Sequence, residues 1–265
     1  MNMFLHEMKA YRKSTIIWTC SLVAIIALFL SIYPSFAKEA DAFKKLMEGF
    51  PEPVRKAFGL SVDSMSSMIG FYSYTFLYIT LCGAIQAMNL GTSILSKEVR
   101  EKTADFLLTK PVTRAQIITS KLLAAVTSLV ITNVIYLTVA SIMASTVKVE
   151  DYSYKIFFMV SITLFFIQLI FLTLGVLVSV LSHKIKSVLP TSLGTVFGFF
   201  IVSMLGSVIG DKAVRYITPF KYFDTNYIIK NSSYEAPFII IEIAFIIVAI
   251  TASYYVYCKK DIHAV

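Results

Sequence analysis

Residues 156–181 read IFFMVSITLFFIQLIFLTLGVLVSVL, and no side chain in this run is charged. A helix that crosses a lipid bilayer needs about 20 consecutive apolar residues, so this run predicts a transmembrane helix. Five further runs of sufficient length lie at about 14–32, 69–95, 117–147, 188–209 and 237–257. The sequence therefore predicts an all-α polytopic membrane protein with six spans, forming one transmembrane domain over residues 1–265.

The composition argues against most other classes of protein. Hydrophobic residues make up 57% of the 265 residues and charged residues only 15%. A typical soluble domain has about 25% charged residues, and a soluble globule of this size cannot bury so much apolar surface. An ordinary soluble enzyme is therefore not expected. The three cysteines lie inside or beside apolar runs and predict neither a disulfide framework nor a zinc site.

The distribution of Lys and Arg predicts the orientation of the spans. With the N-terminus inside, segments 1–13, 97–121, 182–187 and 258–265 hold 13 Lys and Arg and carry a net charge of +8. The external segments hold 11 Lys and Arg but carry a net charge of only +1. Because cytoplasmic segments usually carry the excess of cations, both termini are expected in the cytoplasm.

The N-terminal residues form an amphipathic pattern. Phe4, Met8 and Tyr11 fall on one helical stripe, whereas Lys9 and Lys13 fall on the opposite one. This pattern predicts an interfacial helix in the headgroup layer, with its cations near anionic membrane lipids. The alternative is a plain basic anchor before the first span.

The segment between the second and third spans carries the strongest functional signal. Residues 97–110 are long enough for about four helical turns, and opposite charges four residues apart favour a short exposed helix there. Pro111 ends that helix, and Thr113 stands three residues before Gln116, the spacing of a capping box. Such a helix is suited to dock in a groove of a partner protein. The alternative is a solvated loop with a charged face.

The order of motifs along the chain resembles that of ABC-2 type transporter permeases. The residues that carry the resemblance are Glu7 and Lys9, Phe50-Pro51-Glu52, Phe58-Gly59, Glu98, Thr103, Leu107-Leu108, Pro111, Arg114, Lys121, and Thr218-Pro219-Phe220 with Tyr222. The glycine that the family usually has between the Glu and the Leu pair is absent, and Lys102 precedes Thr103. The resemblance covers nearly the whole chain.

This resemblance implies a division of labour between subunits. Similar permeases form a dimer, homomeric or heteromeric, and bind a separate cytoplasmic ABC ATPase that holds ATP and Mg. The docking surface for that ATPase would consist of Glu98, Arg100, Lys102, Thr103, Phe106 and Leu107, with Pro111 and Arg114 fixing the angle of a coupling helix at about 97–110. The chain has no G-x-x-x-x-G-K-[ST] phosphate loop, so neither a bound cofactor nor enzymatic activity is expected of it.

The cargo is predicted only by class. Permeases similar to this chain are bacterial-type exporters of peptides, drugs and lipids, among others. The apolar, aromatic spans favour an amphipathic or lipid-like cargo. Two rival functions stay open: a secondary transporter driven by an ion gradient, and a non-transporting membrane anchor or immunity partner of an ATPase.

A few polar and small residues within the spans are further candidates. Glu242 is either part of a substrate or cation pathway or an acid that reaches an external cation such as Lys221. Gln86 and Asn89 share one face of the second span, where they either line the path or pack helices together. Gly194-x-x-x-Gly198 allows close helix approach in the fifth span. The sequence shows no catalytic triad, metal-ligand spacing or nucleic-acid-binding pattern.

Overall fold

The computed structural model describes residues 3–57, 67–100, 112–182, 185, 187–210 and 213–259. Within these ranges the regular structure is helical, and six long helices are apolar enough to cross a membrane. The helices are α1 (Met3–Lys38), α2 (Ala40–Glu48), α3 (Glu52–Ala57), α4 (Met68–Arg100), α5 (Arg114–Val147), α6 (Tyr154–Leu181), α7 (Val188–Ile209), α8 (Val214–Ile217), a 3₁₀ helix (Pro219–Lys221), α9 (Thr225–Asn231) and α10 (Ala236–Lys259). The predicted all-α class with six long apolar helices is confirmed.

The first helix differs from the one that the sequence predicts. The N-terminal residues are helical as expected, but they continue into the first span within α1 and form no separate interfacial element. No glycine or proline occurs between Met3 and Tyr33 to break the backbone hydrogen bonds. Tyr11, expected on the lipid-facing stripe, is 7% exposed and belongs to the protein core. The apolar stripe at the N-terminus therefore packs partly against the protein.

Two helix pairs form the centre of the bundle. α4 packs along α6, and α1 packs along α5. The first pair is close because glycines meet at the contact: a Cβ atom added at Gly91 would overlap the carbonyl oxygen of Leu172. A Cβ atom added at Gly175 would lie 2.7 Å from the carbonyl oxygen of Met88. α10 packs on α6 and α7 packs on α4, which completes the bundle.

Contacts between side chains fix the relative directions of the helices. Glu7 pairs with Lys121, and Thr19 shares a hydrogen bond with Thr132, so α1 and α5 run side by side in the same direction. The last turns of α10 lie against the first turns of α5. The beginnings of α1 and α5 and the end of α10 therefore meet at one end of the bundle, called the terminal end below. The charge count predicts that this end faces the cytoplasm.

Candidate functional site

The predicted docking residues surround the connection between α4 and α5. Glu98 and Arg100 lie in the last turn of α4, which continues through the residues expected to begin a separate coupling helix. Arg114 is the first residue of α5. The other predicted docking residues lie outside the described residues: Lys102, Thr103, Phe106, Leu107 and Pro111. The described part of the site is thus its two flanks, the end of α4 and the beginning of α5.

The capping box predicted at the beginning of the third span is confirmed. The hydroxyl of Thr113 accepts a hydrogen bond from the backbone N–H of Gln116 at 3.2 Å. The side-chain oxygen of Gln116 accepts a hydrogen bond from the backbone N–H of Thr113 at 3.0 Å. Together these bonds satisfy two backbone donors that would otherwise lack partners at a helix start. α5 therefore begins at a defined residue.

The first turns of α5 are bonded to the last turns of α10. The guanidinium of Arg114 donates to the carbonyl oxygen of Tyr257 at 3.4 Å, a long hydrogen bond. One turn further along, the hydroxyls of Thr119 and Tyr254 share a hydrogen bond of 2.8 Å. Arg114, predicted to set the angle of the coupling helix, is thus joined to α10.

A buried ion pair joins the same part of α5 to α1. Nζ of Lys121 donates to Oε1 of Glu7 at 3.0 Å, and the two side chains are only 2% and 10% exposed. Removing one partner of such a pair leaves an uncompensated buried charge and costs roughly 3–5 kcal/mol. Each charge therefore helps the other to be tolerated in this position.

Both residues of this pair stand out in the sequence, although no pattern there connects them. Lys121 is the single charged residue in the apolar run 117–147, and Glu7 is the single carboxylate before the first span. A cation in an apolar helix needs a nearby acid, because burial of an unpaired charge is costly. That isolation of opposite charges near the same predicted face of the membrane is the signal that could have identified the pair.

A network of buried amides and hydroxyls links four helices. The side-chain amide of Gln86 on α4 donates to the hydroxyl of Thr132 on α5 at 3.0 Å, and that hydroxyl also bonds Thr19 on α1 at 2.9 Å. Gln168 on α6 donates to the side-chain oxygen of Gln86 at 3.2 Å and accepts from Asn133 at 2.5 Å. Gln86, a predicted path or packing residue, is fully buried in this network.

A second buried group adds to these links. The hydroxyl of Tyr72 on α4 shares hydrogen bonds with Tyr136 on α5 at 2.8 Å and with Ser161 on α6 at 2.7 Å. In membranes an interhelical hydrogen bond contributes about 0.6–2 kcal/mol. The two groups therefore hold α4, α5 and α6 together at more than one depth.

Asn89 and Glu242, the other predicted path residues, lie apart from these networks. Asn89 is half-buried, and its side chain forms no hydrogen bond with the described residues. Glu242 is only 4% exposed and forms no ion pair with any described residue, Lys221 included. It lies near Tyr222, whose pKa is raised first by burial and then by the carboxylate of Glu242. Glu242 is thus an unpaired buried acid among the residues that the structure describes.

An aromatic cluster holds the segment between α7 and α10 at the opposite end of the bundle. Arg215 pairs with Glu235 at 2.5 Å, and its guanidinium lies 4.4 Å from the ring centroid of Phe238. The ring of Tyr222 stacks on the ring of Phe238, with 5.5 Å between their centroids. Burial raises the pKa of the neighbouring Tyr234 to about 12, so its hydroxyl is protonated at neutral pH. These contacts combine cation–π, ion-pair and ring stacking to order this connection.

The described polar side chains connect helices to one another, and no metal-binding cluster is found among them. Among the described His, Cys, Asp and Glu residues, no group of three is placed to hold a metal ion. The three cysteines are free, with Cys20 and Cys258 exposed and Cys82 half-buried. What the described residues do provide is a set of polar contacts that converge on the beginning of α5.

Comparison with known protein families identifies this arrangement. A family model described as "ABC-2 family transporter protein" matches residues 1–262. Among curated proteins, none matches the chain. Because the family match spans nearly the whole chain, the chain belongs to the ABC-2 transporter family. It is a multi-pass permease component of an ABC transporter in the plasma membrane. Members of this family work with an ABC ATPase subunit and are not themselves catalytic.

Proposed function

We propose that this ABC-2 permease exports an amphipathic or lipid-like compound, a peptide or a drug, using ATP hydrolysed on a separate cytoplasmic ATPase subunit. ATP and Mg are bound by that partner, and the permease supplies the path and the conformational change. The family membership supports this division, and so does the lack of a phosphate-loop motif in the sequence.

The convergence of contacts on the beginning of α5 is the observation that carries the proposal. The predicted docking segment leads directly into the capping box at Thr113. Within the next two turns, α5 is bonded to α10 through Arg114 and Thr119 and to α1 through Lys121. A displacement of the docking segment by the ATPase therefore moves three helices together rather than one, which is how a local motion becomes a rearrangement of packed helices.

The ion pair between Glu7 and Lys121 is the strongest of these connections. A bond to a buried charge is retained during motion, because breaking it exposes each charge to an apolar surrounding. The Glu7→Met plus Lys121→Met double variant removes both charges of the pair, and its free energy of unfolding is expected to stay near that of the wild type. Its ATP-coupled transport is expected to fall, because α1 no longer follows α5.

The path is proposed to lie where a second permease subunit meets this one. Asn89 is half-buried, and its side-chain amide is not used by described contacts within the subunit. The α7 glycines Gly194 and Gly198 have open space beside them, which suits close approach of a second subunit. A homodimer and a heterodimer both satisfy this arrangement.

Copurification tests the docking assignment. The permease is expressed with a candidate ABC ATPase subunit. The variant Glu98→Ala plus Phe106→Ala is compared with Lys148→Ala plus Asp151→Ala, which removes an exposed ion pair at the opposite end of the bundle. We expect the docking variant to lose the ATPase and ATP-driven transport in vesicles, and the control variant to retain both. Unchanged complex formation and transport in the docking variant would show that the assignment is wrong.

The unpaired Glu242 gives a specific reason to test transport driven by an ion gradient. A buried carboxylate in a membrane helix is costly and often marks a proton or cation pathway. Proteoliposomes that contain the permease alone are given a proton gradient and candidate cargoes. We expect no transport without the ATPase and ATP. Gradient-driven transport that disappears in Glu242→Gln would favour the secondary transporter instead.

A further inference from the structure

A surface groove runs along the first half of α1 beside α5. Its volume is about 530 Å³, within the range of small-molecule sites in proteins. The residues that line it are Leu5, His6, Met8, Lys9, Arg12, Thr15, Ile16 and Ile131. The groove lies on the flank of α1 that the ion pair with α5 does not use, and none of the contacts described above occupies it.

Two cations line the groove, and apolar side chains line it further along α1 and on α5. Lys9 and Arg12 are exposed, lie three residues apart on one face of α1, and form no ion pair with a described residue. Ile16 and Ile131 are 51% and 39% exposed and form apolar walls further along. A ligand that complements both the cations and these apolar walls carries an anionic group and an apolar chain.

The positions of these residues along the helix match the layers of a bilayer. The apolar run of the first span begins at about residue 14, so Lys9 and Arg12 precede it and Ile16 lies within it. Seven residues separate Lys9 from Ile16, a rise of about 10 Å along a helix. The cations therefore stand at headgroup depth and the isoleucines at the depth of the acyl chains.

We propose that this groove binds one anionic phospholipid from the leaflet at the terminal end of the bundle. The lipid phosphate contacts Lys9 and Arg12, and an acyl chain lies against Ile16 and Ile131. The inference goes beyond the proposed transport function and needs neither ATP nor cargo. Because α1 also carries Glu7, lipid bound here steadies the joint between α1 and α5 through which the proposed motion passes.

Charge complementarity favours a lipid over a second copy of the chain. Two copies that met through this groove by a twofold axis would bring Lys9 and Arg12 of both subunits together, and like charges repel. An anionic headgroup instead neutralises them. Lys or Arg near an anionic membrane surface each contribute roughly a fivefold gain in binding, so the pair contributes roughly twenty-five-fold.

Native mass spectrometry of the full-length protein tests this site with phosphatidylglycerol and phosphatidylcholine as probes. We expect the wild type to retain phosphatidylglycerol more tightly than phosphatidylcholine. Lys9→Gln plus Arg12→Gln is expected to weaken phosphatidylglycerol binding roughly twenty-five-fold and to leave phosphatidylcholine binding unchanged. The control, Lys13→Gln plus Lys259→Gln, removes two cations near the same end but outside the groove.

A second variant probes the apolar end. Ile131→Trp fills the groove while leaving both cations in place, and it is expected to reduce phosphatidylglycerol binding several-fold. Circular dichroism melting checks that each variant folds. Equal losses in the groove and control variants, or no loss in either groove variant, would overturn the proposal. A fall in the dimer fraction without loss of lipid would assign the groove to a second copy. Failure of transport with normal lipid binding would leave this site intact and reject only the transport proposal.

Discussion

α4 and α7 are both apolar helices with glycines, yet they are packed very differently. Buried residues make up 67% of the most apolar stretch of α4 and only 17% of the most apolar stretch of α7. Gly91 of α4 meets the backbone of α6, whereas a Cβ atom added at Gly194 or Gly198 of α7 would contact nothing within 4 Å. A glycine in a membrane helix can therefore allow close packing within its own subunit or close approach of another molecule. The atoms that surround the glycine distinguish the two roles.

The largest expected effect on folding is at the contact between α4 and α6. In Gly91→Ala the new methyl group would overlap the carbonyl oxygen of Leu172, and backbone cannot move aside as a flexible side chain can. We expect the free energy of unfolding to fall by about 3 kcal/mol, measured by denaturant titration in mixed micelles. Gly198→Ala is the matched control on α7. Equal stability of the two variants would contradict the difference between the helices.

Removal of a hydrogen-bonded amide on α4 comes next. Gln86→Ala leaves Thr132 and Gln168 each without a bond that Gln86 makes, so we expect a loss of about 1–2 kcal/mol. Asn89→Ala, three residues further along the same helix, removes an amide without a described hydrogen bond, and its stability is expected to change little. The same unfolding assay compares them, and a larger loss for Asn89→Ala would overturn the assignment of Gln86 to the network.

Gly206 gives an intermediate case on α7. A Cβ atom added there would overlap the side chain of Val214 on α8, which can shift more readily than backbone. Gly206→Ala is expected to cost about 1 kcal/mol, less than Gly91→Ala and more than Gly198→Ala. The Gly206→Ala plus Val214→Ala double variant removes the nearest overlapping atom, Cγ1 of Val214, and is expected to recover part of the loss. If it recovers none of the loss, the contact between α7 and α8 is not its cause.

The smallest effect on folding is expected at the open glycines of α7. Gly194→Ile plus Gly198→Ile adds bulk where the subunit has empty space, so we expect a change of less than about 0.5 kcal/mol in unfolding free energy. The dimer fraction, measured by cross-linking in membranes, is expected to fall. An unchanged dimer fraction would place the second subunit elsewhere.

Local and chemical signals in the sequence predict much of this molecule. Apolar runs predict the six long helices, because backbone polar groups in lipid must be satisfied within a helix. The capping box is equally predictable, since Thr113 and Gln116 are three residues apart. The sequence does not predict that α1 continues without a break past residue 14, where the first apolar run begins. The residues change there from polar to apolar, but both stretches are helical.

Contacts between distant parts of the chain are what the sequence does not reveal. Glu7 and Lys121 are 114 residues apart, and their pairing depends on how α1 lies against α5. Glycine spacing likewise shows which helices permit close approach but not which neighbour approaches: Gly91 meets α6, and Gly194 meets empty space. These outcomes are set by the packing of whole helices, which no single segment encodes.

The attachment of α5 to α10 has a consequence for synthesis of the protein. The bonding partners on α10 lie 143 and 135 residues after Arg114 and Thr119 in the chain, so a nascent permease has the start of α5 secured only on the α1 side until α10 has left the ribosome. In the proposed mechanism, a motion of the docking segment at that stage would move α5 and α1 without α10. Under the same proposal, ATP hydrolysis drives transport only after α10 has been inserted, and a chain that stops before α10 carries no cargo.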